Sequence, residues 1–71
     1  MSLRKGSHVE WKWGKGTARG VIVEVFHETV TRTLGGSEIT RHGTDDNPAC
    51  LIEQDNGTQV LKLASEVERA G

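Results

Sequence analysis

The sequence is short of several residue types, and each shortage excludes something. Cys50 is the one cysteine in 71 residues. A single thiol cannot close an internal disulfide, so the domain has no covalent staple and reads as a chain of a reducing compartment, the cytoplasm. No apolar run approaches the roughly 20 residues of a membrane span, and no signal-peptide core follows Met1. Charge of one sign is also lacking. Nine Lys and Arg face ten Asp and Glu, a net of -1, which is not the balance of a generic nucleic-acid binder. The length leaves no room for a second domain or a large catalytic cleft. No low-complexity tract and no internal repeat is present.

Metal chemistry finds little support. His8, His27, His42 and Cys50 show neither CxxC nor HxxxH spacing. No metal and no cofactor is expected. Small domains without disulfides often lean on oligomerisation instead, and a homodimer is the expected support.

The neutral total hides an uneven distribution. Residues 1–41 carry seven Lys and Arg against four acids, whereas residues 42–71 carry two against six. The two parts can neutralise each other, within one chain or across a subunit contact. Alternatively, the first part forms a basic patch that meets an anion.

The hydrophobic pattern is that of strands. Val9, Trp11 and Trp13 alternate with His8, Glu10 and Lys12, as in a half-buried strand. Gly14-Lys15-Gly16 breaks the pattern. Val21 to Phe26 is a β-branched run and the strongest strand signal, with Val21, Val23 and Val25 predicted on one face. Thr29–Leu34 and Ser37–Arg41 flank a Gly35-Gly36 turn. His42 to Asn47 is a polar loop closed by Pro48. Cys50–Gln54 and Gln59–Leu63 flank Asp55-Asn56-Gly57, where Asn-Gly predicts a type I′ hairpin. Ser65 to Glu68 reads as a terminal turn, with Ser65 as cap and Glu68 at capping-box spacing.

Five or six short strands without a helix indicate an all-β, small antiparallel barrel. Its predicted core is Val9, Trp11, Val21, Val23, Val25, Ile39, Leu51, Val60, Leu61 and Leu63. Residues 1–5 read as a flexible N-terminus and 6–69 as the single domain.

Gly6-Ser7-His8-Val9-Glu10-Trp11, with Gly14, Gly16 and Gly20-Val21-Ile22 after it, resembles the opening of SH3-like and Tudor-like barrels. Thr31-Arg32-Thr33, Gly36 to Arg41, Asp46 to Ala49 and Val60 to Val67 narrow this. Together they resemble the hypervirulence-associated Tudor-like domain family, mostly short bacterial proteins with fungal relatives, over about residues 6 to 69. The resemblance implies an SH3-like/Tudor-like barrel that acts as an interaction module. It assigns no ligand and no functional residue.

Tudor-like barrels often hold methylated Lys or Arg in an aromatic cage, which needs several ring faces around one ammonium. Only Trp11, Trp13 and Phe26 are aromatic here. Core packing plus one rim tryptophan is the simpler reading. The Gly14–Gly20 segment lacks the GKS or GKT ending of a P-loop and opens no helix. Its glycines read as turn residues, yet Lys12, Trp13, Lys15 and Arg19 form the candidate ligand-binding set. With Trp13 stacking one base, they suit a nucleic-acid backbone as the alternative partner.

Catalysis needs a nucleophile with a base and an orienter, and only Cys50 could serve. It sits in a strand, where a free cysteine is a small buried hydrophobe. Asp45 and Asp46 beside Pro48 read as turn chemistry. The expected function is therefore a non-enzymatic binding or interaction module. A protein partner or a second copy is expected, with the Thr29–Arg41 hairpin extending outward to pair or exchange strands.

Overall fold

The computed structural model describes residues 3–70. The strands are β1 (His8–Trp13), β2 (Gly16–Phe26), β3 (Thr29–Leu34), β4 (Ser37–His42), β5 (Ala49–Gln54), β6 (Gln59–Leu63) and β7 (Glu68–Arg69), with a 3₁₀ turn at Ala64–Glu66. β6, β5, β2, β1 and β7 form one antiparallel sheet in that order, and β3 and β4 form a second. The all-β antiparallel architecture is as expected, a small curled barrel. No ladder joins β6 to β7 among the described residues, so one side stays open.

The hydrophobic interior is two clusters rather than the single core expected. Val9, Trp11, Ile22, Cys50, Ile52 and Val67 fill the barrel. Val30, Ala49, Leu51 and Leu61 form the other cluster, with Val23, Phe26, Leu34, Ile39 and Leu63 packed against it. Strand alternation explains the division. Cys50 and Ile52 point into the barrel, while Ala49 and Leu51 point outward beneath the β3–β4 hairpin. The hairpin folds back across that face instead of extending outward.

β2 departs from simple alternation. Ile22 pairs with Ile52 and Glu24 with Leu51, which leaves Val23 as the extra residue of a β-bulge. The bulge reverses the facing of the residues after it. Ile22 and Val25 belong with the barrel cluster, and Val23 and Phe26 with the hairpin cluster. The predicted shared face of Val21, Val23 and Val25 is therefore wrong, and Ile22 is the buried anchor at 1% exposure.

Of the two predicted glycine turns, one forms as expected and one differs. Gly35 and Gly36 both have positive φ, 57° and 82°, as a type I′ turn requires. At Asp55-Asn56-Gly57 only Gly57 does, at 86°. There Gln54 N–H donates to Thr58 O (2.8 Å) and Gly57 N–H to Gln54 O (2.9 Å), closing a three-residue loop with a left-handed glycine last. The predicted Asn-Gly I′ turn is one residue too short. The longer loop sets Leu61 opposite Leu51 and Val60 opposite Ile52.

Side chains tie the hairpin to the body. The Arg32 guanidinium lies 4.9 Å above the Phe26 ring centre. Arg41 Nε is 3.5 Å from Glu66 Oε1, an oxygen that also accepts the Leu63 N–H. Ser65 does not cap the last turn. Its N–H donates to Asn47 Oδ1 (2.9 Å), and Asn47 Nδ2 donates to its Oγ (3.0 Å). Of the N-terminal residues read as flexible, Met1 and Ser2 lie outside the described residues, and Leu3 packs against the barrel core.

Gly20 is buried where β2 crosses β5. A Cβ there would lie 2.6 Å from Ile52 Cγ2 and 2.7 Å from Glu53 O, and the carbonyl cannot move cheaply. Gly20→Ala is expected to cost about 1–3 kcal/mol through overpacking. That corresponds to a fall of at least about 4 °C in Tm for a domain of this size. Gly16→Ala, where the nearest atom is 4.0 Å away, is the control and should leave the thermal unfolding curve close to wild type.

Candidate binding groove at the barrel mouth

Trp11 and Trp13 lie two residues apart and share one face of β1. Trp11 stands opposite Ala18 and is packed into the core at 6% exposure. Trp13 stands opposite Gly16, beyond the last core layer, and is 72% exposed. It is the one exposed large hydrophobic among the described residues.

β6 stands across the open side of the barrel. Leu61 and Leu63 belong to the hairpin cluster, so Val60 and Lys62 face the barrel side. Between Trp13 and β6 lies a groove of about 690 Å³. Trp11 and Val60 are among its apolar lining residues, and Lys15, Lys62, Gln54 and Asn56 supply much of its polar rim. Asn56 Oδ1 is engaged by Thr58 N–H (2.9 Å), which turns its amide nitrogen into the available donor.

The structure divides the four residues selected from the sequence. Trp13 and Lys15 line the groove. Lys12 and Arg19 lie on the opposite face of the β1–β2 hairpin. Arg19 stands across from Glu10 with Nε 3.9 Å from Oε1. Lys12 stands across from Thr17, in a depression it shares with Glu66 and Glu68. The Gly14–Gly20 segment is mostly strand, so alternation separates side chains that a loop could have gathered. Lys62 is missed by the sequence reading. Its signal is its place between Leu61 and Leu63: two leucines facing one core turn the lysine to the other face.

No aromatic cage is assembled. Trp11 is buried, and Phe26 packs with the hairpin cluster beneath Arg32. Among the described residues no group of three His, Cys, Asp or Glu is placed to hold a metal. His27 Nδ1 is 4.0 Å from Asp45 Oδ1 in a separate depression that Leu3 and Val67 also line. Cys50 is fully buried, with Sγ 4.0 Å from Pro48 O.

The five-stranded and two-stranded antiparallel sheets are consistent with a small Tudor-like barrel. Residues 6–67 match the family described as "Hypervirulence associated proteins TUDOR domain". The chain belongs to that family, as the motifs spread from Gly6 to Val67 indicated. No curated protein and no solved structure matches it.

Burial pushes the Cys50 thiol above the ordinary cysteine range. The native thiol should stay unreacted with an aromatic disulfide reagent at pH 8 and react fully once unfolded by denaturant. The same shift fixes a sign. The folded pKa is raised, so the stability contribution is complete below the ordinary thiol value. It is lost as pH rises through the folded pKa. Urea midpoints should therefore fall in the alkaline range, and Cys50→Ala should flatten that part of the profile.

Proposed function

We propose that the chain is a non-enzymatic interaction module whose ligand face is the groove beside Trp13. The observation that carries this is an exposed tryptophan at the edge of a groove, in a domain that otherwise keeps its large apolar side chains covered. Membership of a Tudor domain family supports a binding role. The burial of Cys50, the sole candidate nucleophile, supports a non-catalytic one. Lys15 and Lys62 line the groove with Trp13, whereas Lys12 and Arg19 lie on the other face. No helix among the described residues is long and apolar enough to cross a membrane. The single unpaired thiol favours a cytoplasmic setting.

Self-association is the second reading, favoured by a specific feature. Among the described residues β3 has a ladder partner on one side only, and its sequence Thr29–Leu34 contains neither Lys nor Pro to discourage edge pairing. Two copies can join through this edge without exchanging strands. Light scattering at tens of micromolar should then give a mass above that of one chain, and a strictly monomeric mass would remove this reading.

The groove itself is tested by fluorescence. Acrylamide should quench Trp13 and spare Trp11, so Trp13→Ala should remove the quenchable component and leave the unfolding curve near wild type. A cognate ligand should shift the emission of the wild type but not of Trp13→Ala.

A further inference from the structure

The groove beside Trp13 does not end at β6. A second depression, of about 350 Å³, lies between β6 and the β3–β4 hairpin, with Leu34, Ile39 and Arg41 on its hairpin wall. Thr58, Val60 and Lys62 line both, so the two form one track with β6 as its sill.

Charge along this track is sorted. Lys15, Lys62 and Arg41 line it, and no Asp or Glu does. Three other surface depressions all carry acids: Asp45 and Asp46 in one, Glu10 and Asp55 in another, Glu10, Glu66 and Glu68 in the third. The whole chain has more acids than bases, so an acid-free path is a local arrangement and not a reflection of composition. Arg41 is engaged by Glu66. Lys15 and Lys62 have no ion-pair partner among the described residues.

From this arrangement we infer that the track binds single-stranded nucleic acid. One base stacks on Trp13, and the backbone passes Lys15 and Lys62 toward Arg41. The inference rests on the Trp13 groove being the ligand face and adds the class of ligand. A methylated ammonium would meet two lysines and a single exposed ring, the reverse of what a cage needs. An acidic peptide would use the lysines but has no need of the ring. A single strand uses both, because every unpaired base offers a π-face and every linkage a phosphate. Gln54 and Asn56 line the same groove as Trp13, and their amides can hydrogen-bond the edge of a base.

The test is a titration of a labelled mixed-sequence oligonucleotide of about ten nucleotides, followed by anisotropy and Trp13 emission across a salt series. Two to three phosphate contacts predict a log K against log salt slope of about -1.4 to -2. Lys15→Ala and Lys62→Ala should each reduce its magnitude by about 0.7. Trp13→Ala should weaken binding by about tenfold or more with the slope unchanged. Lys12→Ala and Arg19→Ala should match the wild type. Circular dichroism of each variant confirms that it is folded. Absence of binding at low salt overturns the inference, and so does loss confined to Lys12→Ala and Arg19→Ala. A polyglutamate peptide that shifts Trp13 when the oligonucleotide does not would keep the groove and reassign it to acidic peptides. If Trp13 responds to neither, nor to a methyl-lysine peptide, the groove reading falls as well.

Discussion

One strand buried on both faces organises the molecule. Ala49, Cys50, Leu51 and Ile52 are successive residues, and none exceeds 8% exposure. A strand with two apolar faces needs ladder partners on both edges and cover on both sides. β2 and β6 supply the partners, the barrel covers one face, and the β3–β4 hairpin covers the other. The hairpin is thus a structural lid over a second core. A 71-residue chain without a disulfide has few other ways to bury more surface. Each large side chain so covered contributes about 1.5–3 kcal/mol before chain entropy is set against it.

The same requirement explains the irregularity of β2. A regular strand could give Ile22 to the barrel only by turning Phe26 the same way. The bulge at Val23 lets one strand serve both cores, with Phe26 placed under the hairpin where Arg32 covers its ring. Arg32 and Arg41 sit on the inner face of the hairpin beside Val30 and Ile39. They can do so because each has a partner, an aromatic face for one and Glu66 for the other.

Much of the fold is legible from alternation. The strands around Trp11, Val30, Ile39, Leu51 and Leu61 lie where the pattern places them, because period-two burial is a strong local signal. Facing is less legible. A bulge leaves no mark in a β-branched run such as Val21-Ile22-Val23, since each of these residues suits either face. The Asn56-Gly57 turn is misread from sequence because two- and three-residue loops use the same residues and differ only in which backbone bonds close them. At the groove, Trp13 and Lys15 are visible as neighbours in sequence. Lys12 and Arg19 join them only if the strand is taken for a loop. The facing of Lys62 is marked by Leu61 and Leu63 on either side of it, but its place in the same groove as Trp13 depends on the strand-pairing register of the β5–β6 hairpin, which the sequence does not display.

That register reaches further than the hairpin. β6 offers leucine on one side and Val60 and Lys62 on the other, and the length of the loop at Asp55-Asn56-Gly57 decides which side looks into which compartment. A loop shorter by one residue would rotate the strand by half a turn. Lys62 would be carried into the greasy space beneath the hairpin, and Leu61 would take its place at the mouth. The chemical character of the mouth and the integrity of the lid are therefore one property, and a lineage cannot alter the first through this loop without also breaking the second.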